Sequence, residues 1–375
     1  MKNEQETFIN EIIENCTDCG ACSKGCPILT EIDESPAVIA ARGASLYEAF
    51  ACSLCYRCEA VCPLNLNPEQ MFKQKRIQAV ADREIEIDDY RYLLPDRQVT
   101  VNSFYREYYG INYDDLNLSS PAEIGFFPGC TLMTYSPQLT RKVYQILSKE
   151  QPGPVFFTEC CGKPLYQIGL PARGNKSREK VRNKIISSGI KCLVAACPNC
   201  YYELKQIMAG HDIKIITVYE ALEKQGFTNH LPGVRCTIHD SCPDRFEGIF
   251  GMQVRQALES IGCQVVEMAN RSKRSICCGS GGQLSHFQLD FAEQLVNKRL
   301  KEAEKTEADT LVAYCLSCVL NFSRKSPGMK VRHALNLLLG CDEDYGDLKN
   351  KANEMFTGPD GAENWSKIMD GPEED

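Results

Sequence analysis

The stretch KCLVAACPNC, residues 191–200, has a near counterpart 118 residues later in DTLVAYCLSC, residues 309–318. Each is a short apolar run that ends in a C-x2-C pair. An aliphatic run this short, stopped by turn residues, reads as a strand covered on both faces, the kind found in parallel sheets. The texture recurs from residue 122 onward in EIGFFPGC, GPVFFTECC, VRCTIHDSC and SICCG, always with cysteine at or just after the end of the run. Helical stretches such as SREKVRNKIISSG and FAEQLVNKRLKEAEKTE separate several of these runs. Strand and helix alternating at this spacing predict α/β units with largely parallel sheets. Side chains at the carboxyl ends of such strands are where these folds place their ligands, and every one of these cysteines is expected at that edge.

The pattern also repeats. Cys130, Cys160, Cys161, Cys197 and Cys200 form one set, and Cys242, Cys277, Cys278, Cys315 and Cys318 form another. Equivalent cysteines are offset by 112, 117, 117, 118 and 118 residues, which predicts two homologous lobes over 122–232 and 233–341. GSGG at 279–282 lacks both the lysine of a phosphate loop and the G-x-G-x-x-G spacing, and the chain carries no flavin or nicotinamide fingerprint.

Upstream, CTDCGACSKGCP at 16–27 and CSLCYRCEAVCP at 52–63 both read C-x2-C-x2-C-x3-C-P. This is the bacterial ferredoxin spacing for [4Fe–4S] clusters, in which the fourth cysteine serves the other cluster. Three thiolates at i, i+3 and i+6 wrap one cube, and the cysteine before proline reaches toward its neighbour. Cys16, Cys19, Cys22 and Cys62 are therefore assigned to one cubane cluster, and Cys52, Cys55, Cys58 and Cys26 to the other. Zinc sites take four ligands from two C-x2-C pairs, a poorer match to two complete four-cysteine runs. The 25 residues between Cys26 and Cys52 exceed the loop of small ferredoxins and suggest a helical ferredoxin over 1–85. Helices are expected after Pro36 and after Asn67, which could cap the second of them with Pro68 in its first turn. A connector rich in Tyr, Asp and Asn covers 86–121. The acidic tail 342–375 reads as a solvated, partly disordered end, with Trp365 keeping a docking role open.

The totals limit the function. The chain has 375 residues, 43% of them hydrophobic, enough for several packed domains. A net charge of −8 offers no global field for nucleic acid or anionic membrane. The N-terminus MKNEQETFIN has no apolar signal core, and no apolar stretch reaches the roughly 18 residues that cross a bilayer. With 22 cysteines, this predicts a reduced, cytoplasmic chain whose thiols bind metal rather than form disulfides.

The motifs GC at 129–130, CCG at 160–162, CPNC at 197–200, HDSC at 239–242, CCG at 277–279 and CLSC at 315–318 resemble the cysteine-rich CCG family. A ferredoxin module followed by two such lobes is similar to a fusion of the small ferredoxin and catalytic subunits of heterodisulfide reductase. It is also similar to the iron–sulfur subunits of anaerobic glycerol-3-phosphate dehydrogenase and glycolate oxidase. The resemblance implies an α+β multidomain fold class: an N-terminal α-helical ferredoxin followed by two pseudo-twofold-related α/β CCG lobes. It implies that each five-cysteine set binds a noncubane [4Fe–4S] cluster, the adjacent cysteines serving neighbouring irons. Gly162 and Gly279 would let the backbone pass close.

The function implied is a disulfide oxidoreductase subunit of the heterodisulfide reductase type. Electrons would come through the cubane pair to two noncubane clusters that reduce a small disulfide, and the clusters themselves would be the catalysts. The alternative is a non-catalytic electron-transfer subunit linking a flavin dehydrogenase to quinone or ferredoxin. Either needs a partner, a flavoprotein subunit or a membrane cytochrome b, through which the chain could be membrane-associated. A polar pocket between the clusters favours the enzyme, and a sealed apolar gap the carrier. His239 and Asp240 could tune a cluster, move protons, or simply cap and pack; the same is open for Glu159, Lys163 and Tyr314. Cys192, Cys236, Cys263 and Cys341 lie outside every set and read as buried filling.

Overall fold

The computed structural model describes residues 2–116, 122–149, 153–326 and 328–372. The end of the connector, 117–121, lies outside them. The N-terminal part is built of short helices, Lys2–Asn15, Pro27–Ile32, Pro36–Arg42, Leu46–Ala51, Arg57–Ala60 and Glu69–Ala81. The first cysteine run is the loop between the first two helices, and the second run is loop apart from Cys58, which lies in the helix Arg57–Ala60. Pro27 opens a helix directly after Cys26, because proline needs no hydrogen-bond acceptor in a first turn. Ser45 and Glu48 form a capping box, the Glu48 N–H donating to Ser45 Oγ at 3.2 Å and the Ser45 N–H to Glu48 Oε2 at 2.7 Å. Asn67 does not cap the helix that follows it: Pro68 takes the cap position and no side chain caps that end.

Among the described residues, eight strands form two four-stranded sheets. The first contains β1 (Ile124–Phe127), β2 (Val155–Phe156), β3 (Cys192–Ala195) and β4 (Lys214–Thr217) in the order β2-β1-β3-β4. The second contains β5 (Arg235–His239), β6 (Gln264–Val265), β7 (Thr310–Ala313) and β8 (Lys330–His333) in the order β6-β5-β7-β8. All pairings are parallel, with Phe126 opposite Val194 in the first sheet and Ile238 opposite Val312 in the second. Residues 126–127, 193–195 and 311–313 of the central strands are apolar and buried, as in strands covered on both faces, whereas the central strand β5 also carries Arg235, Thr237 and His239. One expected strand is absent: SICCG is a loop, and the edge position beside β5 belongs to β6, twelve residues before Cys277. In the first sheet Cys160 follows β2 by only four.

One hydrophobic core runs through both sheets. Tyr201 and Phe250, from the two halves, meet edge to face at 5.4 Å between ring centres. The N-terminal part is clamped to both by Arg76, whose side chain is fully buried. Its guanidinium donates to the carbonyls of Ala49 (2.8 Å), Cys52 (2.6 Å), Gln167 (2.6 Å) and Gly282 (2.7 Å) and lies 4.8 Å from the Phe50 ring. Burial lowers its pKa only to about 10, so it stays charged at neutral pH. Arg76→Ala leaves four buried carbonyls without a charged donor. The variant is expected to lose at least about 3 kcal/mol in anaerobic denaturant unfolding; a loss below about 0.5 kcal/mol would remove the clamp from this account.

The tail departs from expectation. Helices Leu348–Glu354 and Gly361–Met369 fold onto the connector helix Val101–Tyr108, and Met355 and Ile368 are buried with Phe104 and Tyr105. Three apolar anchors, Met355, Trp365 and Ile368, dock an otherwise acidic segment that composition alone reads as solvated.

Candidate metal centres

The eight N-terminal cysteines converge in two hollows. Cys16, Cys19, Cys22 and Cys62 line one. Cys26, Cys52, Cys55 and Cys58 line the other. The fourth cysteine of each run thus sits with the first three of the other run, as the spacing predicts. The donor chemistry fits iron–sulfur clusters: each hollow takes four thiols from the two runs, the second has Cys277 as a fifth, and neither has an imidazole. Burial pushes the free Cys26 thiol up to about 12 and those of Cys52 and Cys58 well above their ordinary value. Unmetallated, these sulfurs would stay protonated in an apolar hollow; a metal is what makes them thiolates. The Leu54 N–H donates to Cys52 Sγ at 3.4 Å.

The ten later cysteines sit beyond the carboxyl ends of the strands. Cys197 and Cys315 each follow a central strand by two residues and stand at the N-termini of helices Pro198–Ile207 and Leu316–Ser323. Cys130 and Cys242 each follow the neighbouring strand by three. Nine of the ten line one cavity of about 410 Å³; Cys277 lines the second N-terminal hollow instead. Contacts between sulfurs form a continuous thread. It runs Cys130–Cys160–Cys161–Cys200–Cys197 in the first set, crosses to Cys315, and continues through Cys318, Cys278, Cys277 and Cys242 to Cys55. The Sγ atoms of Cys55, Cys242 and Cys277 all lie within 4.8 Å of one another. Ten soft donors in two sets of five fit iron–sulfur groups, whereas tetrahedral zinc has no use for a fifth thiolate.

Two glycines make this packing feasible. A Cβ on Gly129 (φ +86°) would lie 3.1 Å from Cys200 Sγ, and one on Gly279 (φ +81°) 2.7 Å from the Ala292 carbonyl oxygen. Gly162 is also left-handed, at φ +79°.

His239 ends β5 fully buried, a ring nitrogen within 4.8 Å of the Cys278 and Cys318 sulfurs. Its Nδ1 accepts from Arg299 Nε at 3.1 Å, which places the proton of the neutral ring on Nε2. Burial holds its pKa below the ordinary value. Asp240 is committed elsewhere. Its carboxylate pairs with Arg255 at 2.8 and 3.1 Å and accepts the Ser272 N–H at 2.7 Å. Burial opposes its charge, but the Arg255 guanidinium holds its pKa below the usual range. Tyr314 accepts from the Ser241 N–H and donates to Asp244 Oδ2, both at 3.0 Å, and does not line the cavity. Glu159 pairs with Lys184, while Lys163 lines the cavity 3.7 Å from Glu203. Cys236 and Cys263 are core filling, and Cys192 and Cys341 pack against the same core.

The sequence reading missed Arg245. Its side chain is buried, and Nε donates to the Cys55 carbonyl at 3.0 Å, Nη1 to that of Lys273 at 2.5 Å, while Nη2 lies 3.8 Å from Cys242 Sγ. Arg57 of the second cysteine run donates in turn to the Arg274 carbonyl at 3.3 Å. The long loop between β6 and Cys277 is thus the seat of the N-terminal part, and the first sheet has no loop of that length at the matching place. An arginine three residues after a cysteine carries no spacing signal, so nothing in the sequence singles it out.

Comparison with known proteins matches a 4Fe–4S dicluster domain over residues 12–66. It matches the cysteine-rich CCG domain over 124–205 and again over 236–323. The chain is 26% identical to a fumarate reductase (CoM/CoB) subunit of Methanothermobacter marburgensis, over 89% of this chain and 73% of that one. It is 24% identical to a dihydromethanophenazine:CoB–CoM heterodisulfide reductase subunit of Methanosarcina mazei, over 85% and 90%. Lactate utilization protein A of Halalkalibacterium halodurans matches at 24% over 58% of this chain and 96% of its own. Among solved structures, an aspartate racemase of Picrophilus torridus aligns over 58% of this chain and 91% of its own, with 13% identity and a TM-score of 0.29, too low to carry an argument.

Proposed function

This chain is a heterodisulfide reductase-like iron–sulfur protein, a 4Fe–4S dicluster domain followed by two cysteine-rich CCG domains, and from that premise we propose that it is the disulfide-reducing subunit of an electron-transfer complex. The observation that carries the reading is the cavity of about 410 Å³ into which nine sulfurs of both five-cysteine sets open. It is not a sealed apolar gap. Lys163, Asn199, Ser280, Gln283, Ser317 and Asn321 line it beside the sulfurs. A pure relay needs only closeness between centres; a cavity with amides, hydroxyls and one ammonium suits a molecule that must be bound and oriented.

The N-terminal eight cysteines hold two cubane clusters in crossed sets, and the ten later ones hold two noncubane [4Fe–4S] clusters, the two CCG domains being related by a pseudo-twofold axis. Domain limits near 85, 121, 232 and 341 follow. When bound, the clusters supply one-electron transfer and iron that a substrate sulfur can meet. The residues do the rest. Cys55, Cys242 and Cys277 bring the N-terminal part against the second domain. The amides of Asn199 and Asn321 orient the disulfide, and the Lys163 ammonium favours acidic substituents. Reduction consumes two electrons and two protons per S–S bond and yields two thiols; a flavoprotein subunit or membrane cytochrome b supplies the electrons.

No helix among the described residues is long and apolar enough to cross a membrane, and we place the chain in the cytoplasm with any membrane contact made by its partner. The test is anaerobic turnover. Iron-loaded protein with dithionite-reduced methyl viologen is expected to cleave bis(2-hydroxyethyl) disulfide or glutathione disulfide, with dye oxidation matching thiol release. Dye oxidised by a flavoprotein partner's acceptor, with no disulfide cleaved, leaves the chain a carrier.

A further inference from the structure

One wall of the sulfur-lined cavity belongs to neither sheet. Tyr92, Leu93, Pro95, Thr100 and Asn102 of the connector line it, facing the cysteines. No charged side chain of this segment lines the cavity; its charges turn outward and serve as pins. Asp96 takes a two-pronged ion pair from Arg173 of the helix Pro171–Ser187, at 2.7 and 2.9 Å. The Tyr92 ring lies 5.5 Å from His286, which lines the same cavity from the second domain.

The third pin is the C-terminal helix. Arg97 is buried and donates to the carbonyls of Ile368 (2.8 Å), Met369 (3.2 Å) and Gly371. Arg91 also reaches Met369, at 3.2 Å. Trp365 packs 5.4 Å from Tyr92 and 5.2 Å from Phe356. The wall's own backbone is irregular: a kinked 3-10 turn ends at Leu93, and regular helix resumes only at Val101. A segment with so little ladder of its own takes its position from what its side chains grip.

We propose that residues 92–102 are the specificity-determining wall of the cavity, positioned by the C-terminal helix through Trp365 and Arg97, and that they set the size of the molecule admitted to the sulfurs. The sulfur-bearing wall is constrained by the metal groups it must hold, so acceptance of larger or smaller substituents falls to the opposite wall. That wall lies outside the residues matched by either family model. Only the activity arm of the test rests on the disulfide reading.

The experiment compares iron-loaded wild type, Trp365→Ala, Trp365→Phe and Tyr92→Ala, all full length. In Trp365→Ala, amide exchange over 92–102 is expected to rise about fivefold or more, with iron content and exchange in β3 and β7 unchanged. The ratio of kcat/KM for glutathione disulfide over bis(2-hydroxyethyl) disulfide should move at least about threefold toward the bulkier probe, through KM rather than kcat. Trp365→Phe should restore both readouts. Tyr92→Ala, which removes the ring from inside, should move the ratio the same way even if Trp365→Ala folds poorly. Unchanged exchange at 92–102, or an unchanged ratio, overturns the proposal. Should wild type cleave neither disulfide, the reaction reading fails, and the exchange result alone then decides the wall.

Discussion

Cys62→Ser is expected to abolish one N-terminal centre and leave the other, taking bound iron from about sixteen to about twelve per chain. The informative step is the second substitution. Adding Cys19→Ser should cost nothing further, because both sulfurs line the same hollow; adding Cys58→Ser should bring the count to about eight. If each run instead closed its own cluster, the pattern would invert, and Cys58 with Cys62 would be the pair that does not add. Anaerobic iron and sulfide analysis reads the counts, and the reduced-state EPR of the single variants separates the two centres. A wild-type count far below about sixteen would remove the four-centre assignment altogether. The crossing also predicts mechanical coupling: losing Cys62 disorders 16–22, some forty residues away in sequence, more than it disorders 52–58 next to it.

The convergence of Cys62 with Cys16, Cys19 and Cys22, and of Cys26 with Cys52, Cys55 and Cys58, was legible because the spacing of such runs is covalent geometry, set by reach along the chain. The central strands were legible for a related reason. LVA at 193–195 and 311–313 is buried on both faces, so nothing polar interrupts the run. β4 and β8 were not singled out, since KIIT and KVRH lie at sheet edges and carry charge. SICCG looked like a strand because it is buried; its burial comes from the N-terminal part lying over it, which no local pattern records. The contact of Cys55 with Cys242 and Cys277 spans about half the chain or more in sequence and is a tertiary fact only. The same is true of Asp244, whose four donors Tyr202, Tyr314, Phe250 and Gly251 come from three parts of the chain.

Stripping the iron is expected to unfold the N-terminal part while the two sheets survive. The sheets share one large core, with Phe126, Leu193, Ile238 and Leu311 fully buried, and their strands are tied by main-chain ladders that need no metal. The N-terminal part has a small core around Ile12, Leu29, Ile39, Met71 and Phe72. Its loops hold Asp18, Leu54 and Tyr56 in left-handed conformations, at φ 51°, 48° and 59°. Each such residue costs about 1 kcal/mol, and the cysteine loops have few ladder bonds to offset it. Metal binding at a site that does not preform in the unfolded chain is, in effect, folding free energy. Hydrogen exchange of the iron-free chain under reducing conditions should therefore show residues 7–66 exchanging freely. β1, β3, β5 and β7 should keep protection within about tenfold of the loaded protein. Protection retained at 7–66 without iron would mean that the cysteine runs are held by packing alone. Protection lost throughout would mean that the ten later sulfurs, and not the sheet ladders, hold the cysteine-rich domains together.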